Sequence, residues 1–236
     1  FNAHKVAYPE IDWKKFGENF IENELKLNYS FPTTQIEHYD SFAALCDNCR
    51  RINNIILDMC VDIWLYISKD YFKQKIVKNE VGSSAMPHKV NPIDFENSEG
   101  NLGLANSIFD FMSNKLTKSR LQRDLSDSTV LRNIGVPFGH SIISFESVLK
   151  GLDKIFVNEE KIKMDIEDNW IVISEAIQTI LRREGLSNPY EILKELTRDN
   201  NKIDKLSFDQ FIETLDINES VKNELKQISP HNYTGI

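Results

Sequence analysis

The feature that most restricts what this chain can fold into is an apolar stripe too long for a helix of an ordinary small globule. From about residue 36 to residue 76, Phe42, Leu45, Cys49, Ile52, Ile56, Met59 and Ile63 recur at alternating steps of three and four. That spacing places them on one side of an α-helix, as a heptad-like seam. A helix of that extent, rising roughly 1.5 Å per residue, spans on the order of 60 Å. Such a length implies a bundle, shared between subunits. A second stripe over residues 94–116 uses Phe95, Leu102, Ala105, Phe109, Met112 and Leu116, with Ser98 filling one position. A third uses Val130, Ile134, Ser141, Phe145, Val148, Leu152 and Ile155, and Pro137 inside it is expected to kink the helix or shift its start. Three long amphipathic helices with short connections predict an all-α, antiparallel long-helix bundle over residues 1–157.

Beyond residue 158 the helices become shorter and are punctuated by caps. Asn158 precedes two glutamates, Asn188-Pro189 puts proline in a first turn, Ser207 with Gln210 reads as a capping box, and Asn218 precedes Glu219. These signals predict a smaller helical domain over residues 158–236. No strand-rich segment, repeat or low-complexity tract stands out.

Composition narrows the function. Asp and Glu outnumber Lys and Arg by 36 to 28, a net charge of -8, which argues against a nucleic-acid partner, since that needs a basic face. A few local arginines can still hold a small anionic substrate. No apolar run approaches the length of a membrane span, and no signal peptide is visible. Cys46, Cys49 and Cys60 are the only cysteines. A structural zinc site takes about four ligands and no second pair exists, so no metal is expected. Buried apolar thiols in a reducing, cytoplasmic setting are the better account.

Two constellations bear chemistry. In the loop 79–92, Gly82, Pro87 and Pro92 break regular structure, and Gly82-Ser83-Ser84 precedes Lys89 and Asn91. A serine hydroxyl is a poor base unless the site stabilises its alkoxide, and Lys89 offers the positive field to do that. The same residues also fit a polar turn with a solvated lysine. In the stretch 120–132, Arg123, Ser128 and Arg132 could converge on a phosphate, with Ser126 or Asp127 as a helix cap. A charged junction between two helices is the other reading. His4, His38, His88, His140 and His231 are scattered, without a convergent partner.

Gly82-Ser-Ser-Ala-Met-Pro-His-Lys-Val-Asn-Pro92 resembles the signature of the aspartase and fumarase superfamily, G-S-S-x-M-P-x-K-x-N-P, at every fixed position. The continuation Ile93-Asp-Phe-Glu-Asn-Ser-Glu-Gly-Asn-Leu-Gly103, the stretch Arg123-Asp-Leu-Ser-Asp-Ser-Thr-Val-Leu-Arg-Asn133, and Thr33-Thr-Gln-Ile-Glu37 resemble the bacterial-type adenylosuccinate lyase family in particular. The resemblance extends from Phe1 to about Tyr233 and favours the catalytic reading of both constellations. It implies β-elimination of fumarate from adenylosuccinate, giving AMP, and from the succinylated aminoimidazole carboxamide ribotide, in purine nucleotide biosynthesis. It further implies a homotetramer with active sites shared between subunits, and no cofactor.

Residue by residue, the resemblance makes Ser83 the general base, and gives Lys89 stabilisation of the oxyanion and contact with the substrate. Glu96 matches an acid that orients a general-acid histidine. Gln35, Ser84, Val90, Asn91 and Asn97 match substrate-binding positions. Arg123, Ser128, Thr129, Val130, Leu131 and Arg132 match the nucleotide and phosphate contacts. The family's Thr-His-Gly-Gln-like motif, which carries the acid, does not occur here, nor do its N-terminal binding segments. An additional N-terminal segment is therefore expected, and His88 and His38 are not candidates for the missing role. Argininosuccinate lyase and fumarase fit less well, because their substrates carry no phosphate for the 123–132 stretch. Retention of Ser83, Lys89 and Asn91 argues against an inactive structural relative.

Overall fold

A computed structural model describes residues 1–75, 90–198 and 203–235, with side chains left out for 195–198. Eleven α-helices account for most of the described residues, as the stripes and caps predict. The chain divides into two compact units, one of Phe1–Val61 with Asp94–Lys150, the other of Asp62–Ile93 with Gly151–Ile236.

The first unit opens with two short helices, α1 (Asn2–Ala7) and α2 (Trp13–Asn19), followed by a π-helical turn at Phe20–Glu24. The long helix α3 covers Asp40–Ser68, shorter than the stripe suggested. Its end has a specific cause. Asp70 takes the left-handed conformation (φ 61°), its N–H donates to Ile67 O at 3.0 Å, and the Tyr71 N–H donates to Tyr66 O at 2.9 Å. This pair of bonds is the Schellman closure, with an aspartate where glycine is usual.

The packed face of α3 matches the expected one in part: of that stripe Ile63 is buried, and Phe42 and Cys49 pack against the core. Ala43, Cys46, Asn53, Cys60 and Ile63 are buried, whereas Leu45 and Ile52 are about half exposed. Both faces are apolar, and the face covered within this chain holds the smaller side chains.

Helix α4 (Ile93–Leu116) matches its stripe: Phe95, Ser98, Leu102, Ala105, Phe109, Met112 and Leu116 are all buried. The third stripe splits. Val130 belongs to the short α5 (Ser126–Leu131), and α6 (Gly135–Leu152) begins so that Pro137 falls in its first turn, where a missing N–H leaves no bond unmade. Cys46, Ala105, Phe109, Met112, Leu116 and Val130 form one core, edged by Phe138, whose ring meets that of Phe109 edge-on at 5.0 Å.

A polar seam crosses this unit. Asn53, 1% exposed, donates through Nδ2 to Asn106 Oδ1 at 3.1 Å and to Ser141 Oγ at 3.0 Å. Ser141 in turn donates to Pro137 O, and Asn106 donates to Asn54 Oδ1. Buried polar groups satisfied in this way link α3, α4 and α6.

The second unit contains two strands that pattern reading did not anticipate. β1 (Phe72–Gln74) pairs antiparallel with β2 (Ile155–Val157), Phe72 opposite Val157, so Ile155 continues no helix. The helices α7 (Glu159–Glu167), α8 (Ser174–Arg183), α9 (Pro189–Arg198), α10 (Lys205–Thr214) and α11 (Glu219–Lys226) follow. Ile173, Ile177 and Leu181, spaced by four, bury one face against Leu193, Phe208, Ile212 and Leu225.

The caps at Pro189 and Asn218 are where they were expected, and Asn218 accepts from the Ser220 N–H at 3.0 Å. Two caps differ. The box on α10 runs from Asp204 to Ser207 rather than from Ser207 to Gln210, because Asp204 accepts the Ser207 N–H at 2.9 Å. Asn158 precedes α7 but turns its amide to Asp70 O instead of capping. Gly185 (φ 79°) ends α8 with the same closure as α3, the Leu186 N–H reaching Leu181 O at 3.1 Å.

Candidate functional site

Ser83, Ser84, His88 and Lys89 lie outside the described residues. The chain re-emerges at Val90, whose carbonyl accepts from Gln74 Nε2 at 3.3 Å, and at the half-buried Asn91. Gln35 is exposed in a bend. The bend is braced locally, Thr34 Oγ1 donating to Ile36 O at 2.9 Å.

The first turns of α4 hold the next group. Asp94 is buried and paired with Lys150 at 3.3 Å, while Glu96 and Asn97 face outward. Asn97 is held from two sides: Nδ2 donates to Ser147 Oγ at 2.6 Å, and Oδ1 accepts from Asn101 Nδ2 at 3.1 Å. Asn101 is fixed in turn, because its Oδ1 accepts from His140 Nδ1 at 2.8 Å. A side chain whose rotamer is locked by its neighbours loses little freedom on binding a ligand. Ser147, Asn101 and His140 were not singled out from the sequence. They sit at ordinary helical spacings on α4 and α6, so only the packing of the two helices pairs them.

The stretch between α4 and α6 is built differently. Leu121 (φ 46°) and Gln122 (φ 71°) both adopt the left-handed conformation, which costs a side-chain-bearing residue energy. In α5, Val130 is buried and Leu131 packs beside it, whereas Arg123, Ser128, Thr129 and Arg132 are exposed. Ser128 and Arg132 are four apart on continuous helical backbone and share a face. Arg123 and Arg132 pair with no carboxylate among the described residues, which leaves both guanidinium groups available to an anion.

The nearby acids are already engaged. Asp124, rather than Ser126 or Asp127, closes the turn: its Oδ1 accepts the Ser126 N–H at 3.0 Å and the Ser126 hydroxyl at 2.8 Å, which holds its carboxyl below the usual range. Lys115, in the last turn of α4, reaches Asp127 Oδ1 at 2.7 Å and Asp124 Oδ2 at 3.6 Å. The hydrogen bond to Asp127 raises the Lys115 ammonium above its ordinary pKa. Asp127 is 3% exposed, and its second oxygen has no hydrogen-bond partner among the described residues.

The cysteines and His38 take no part. Burial pushes Cys46 up to about 11 and raises Cys49 and Cys60 as well, so these are thiols rather than the thiolates that bind metals. No cluster of potential metal ligands occurs among the described residues. His38 uses both ring nitrogens locally: Nδ1 accepts from the Asp40 N–H at 3.2 Å and Nε2 lies 3.0 Å from Ser30 Oγ. No helix among the described residues is long and apolar enough to cross a membrane.

Comparison with known proteins accounts for nearly the whole chain. A family model described as "Lyase" matches residues 1–106, and one described as "Adenylosuccinate lyase C-terminal" matches residues 119–234. The adenylosuccinate lyase of Dictyostelium discoideum is 59% identical over 238 residues, covering 100% of this chain and 51% of its own length. That of Legionella pneumophila (strain Corby) is 55% identical over 236 residues, with the same coverage. The protein of that name from Escherichia coli (strain K12) is 49% identical over 235 residues, again 100% of this chain and 51% of its own. The chain spans about half the length of the curated relatives it matches.

Proposed function

The chain belongs to the adenylosuccinate lyase family, and from that premise we propose that it serves the elimination of fumarate from adenylosuccinate, yielding AMP. The same site would act on the succinylated aminoimidazole carboxamide ribotide, in purine biosynthesis. The observation that carries this reading is the unbroken loop signature from Gly82 to Pro92, within a chain 49% identical or better to relatives of that name.

Ser83 takes the proton from the carbon beside a succinyl carboxylate. The C–H pair then spreads into that carboxylate as an aci-anion, where Lys89 stabilises the added charge. The C–N bond breaks, its electrons remain on the purine-side nitrogen, and an acid protonates that nitrogen as fumarate forms. The acid is a histidine outside this chain, oriented by Glu96. Asn91 holds a carboxylate, and Gln35, Ser84, Val90 and Asn97 make further substrate contacts. Arg123, Ser128 and Arg132, with Thr129, Val130 and Leu131, hold the nucleotide and its phosphate. Two exposed arginines with no acid partner among the described residues support that assignment.

The working form is a cytoplasmic homotetramer whose sites are shared between subunits. Support comes from the apolar residues left exposed on the long helices: Ile52 and Ile55 on α3, Phe111 on α4, and Ile142 and Leu149 on α6. Such a surface is normally covered. Assay of the assembled lyase for fumarate and AMP from adenylosuccinate tests the activity. No fumarate, or fumarate only from a substrate without phosphate, refutes it. A monomer in sedimentation at micromolar concentration refutes the assembly.

A further inference from the structure

We propose that Lys115 and Asp127 are positioning residues for recognition of the substrate phosphate, an inference that rests on the reading just given. Among the described residues, the ion pairs of Lys115 go to Asp124 and Asp127 and to none of those assigned to the substrate. It stands at the end of α4, before the left-handed pair Leu121 and Gln122, and its two carboxylate partners stand after that pair. With the Arg120 Nε to Asp124 Oδ2 contact at 3.7 Å, the ion pairs close the turn from both sides. Backbone strain at two consecutive side-chain-bearing residues persists only where the surroundings hold it. Here the hold is electrostatic, and Arg123 is the first residue beyond the strained pair.

Asp127 makes the hold stringent. Its carboxylate is buried, and Lys115 provides the one hydrogen bond its oxygens receive among the described residues. A buried carboxylate that loses its cation must move toward water or take up a proton. Either response shifts α5 at its first turn, and Ser128 is the next residue. Val130 and Leu131 still anchor the far end of α5 in the core. The displacement therefore falls on Arg123 and Ser128, and less on the helix as a whole. Lys115 thus acts on the phosphate contacts without touching the phosphate.

The test compares wild type, Lys115→Met and Lys115→Arg in the assembled lyase, with adenylosuccinate and with its nucleoside lacking the 5′-phosphate. Thermal-shift titration with AMP and with adenosine runs alongside. Expected for Lys115→Met is a rise of at least tenfold in KM for the nucleotide, with kcat within about threefold of wild type. The kinetics of the nucleoside stay unchanged, and AMP loses its advantage over adenosine in the thermal shift. Lys115→Arg retains most of the nucleotide KM. If Lys115→Met loses its helical circular dichroism, Asp127→Asn, which keeps the shape and removes the charge, is read in the same way. Equal losses on nucleotide and nucleoside, a fall in kcat alone, or wild-type KM values overturn the proposal. Absence of fumarate from wild type refutes the proposed activity instead, and the AMP titration still decides whether Lys115 supports phosphate binding.

Discussion

Replacing Asn53 by aspartate is a nearly isosteric change that turns the buried seam into a pH sensor. The amide nitrogen that donates to Asn106 Oδ1 and Ser141 Oγ becomes an oxygen. At neutral pH a carboxylate then faces an amide oxygen at a site 1% exposed to solvent. Burial disfavours the charged form and can raise a carboxyl pKa by up to 3–5 units. Ser141 can turn its hydroxyl toward the new carboxylate, so a rise of roughly 2.5 above the ordinary value of about 3.9 is reasonable, to about 6.4. A folded-state pKa above the unfolded one means that the native state binds more protons between the two values, so the variant gains stability as pH falls. Linkage and the loss of one hydrogen bond, about 1 kcal/mol, together make the cost relative to wild type about 4 kcal/mol at pH 7 and about 2.5 kcal/mol at pH 5. Near pH 4 it shrinks to about 1.5 kcal/mol, most of it that one hydrogen bond, because the protonated carboxyl can donate to Asn106 again. Urea unfolding of both proteins across this range, followed by circular dichroism, gives the difference directly. A cost independent of pH would mean that water reaches position 53 and that the seam is not sealed.

Ser83→Ala should lower fumarate release by at least about a hundredfold while leaving assembly intact, as expected for removal of a general base; near-normal turnover would move that role elsewhere. Glu167 is held below the ordinary carboxyl range, first by the Trp170 indole N–H and then by His231. A depressed folded-state pKa contributes stability above the unfolded value that is lost as pH falls through the folded one. Trp170 fluorescence should therefore report loosening in acid, and Glu167→Gln should remove that dependence; an unchanged acid response would assign it to other groups. Gly185→Ala introduces a methyl group with no heavy atom within 4 Å, so the left-handed φ of 79° alone sets the penalty, roughly 1–2 kcal/mol. A melting temperature equal to wild type would show that the α8 terminus relaxes at no cost.

The sequence reveals the apolar part of the α4 face because Phe95, Leu102, Ala105, Phe109, Met112 and Leu116 dominate one period, although Asp94 and Ser113 are buried beside them. On α3 the same reasoning picks a face that overlaps the buried one only in part, at Phe42, Cys49 and Ile63. Leu45 and Ile52 carry more apolar surface than Ala43, Cys46 and Asn53, yet the smaller set is the one this chain covers. Asn53 is invisible to such a pattern, since its burial depends on Asn106 and Ser141, far away in sequence. The end of α3 is missed for a local reason: Asp70 occupies a position where glycine would have announced a stop. β1 and β2 have three residues each and are separated by some 80 in the chain, so neither shows alternation by itself. The candidate site is legible where chemistry fixes the spacing, as in the loop signature. The Lys115 and Asp127 pair is not, because nothing in a lysine at position 115 says which acid it will meet.

The seam through Asn53 has a consequence for how the long helices find one another. Cys46, Asn53 and Cys60 stand seven residues apart on the buried side of α3, so sliding the helix by two turns would still bring small side chains against α4 and α6. Apolar contact alone would discriminate poorly between these registers. A slip that takes Asn53 to the place of Cys46, however, buries its amide in the apolar cluster of Ala105, Phe109 and Met112 and leaves Asn106 and Ser141 facing a thiol. Each unmet polar group costs about 1–3 kcal/mol, enough to make the misdocked pairing short-lived. The seam thus works as an error check during assembly: it adds little to the strength of the correct alignment and removes most of the lifetime of the wrong ones.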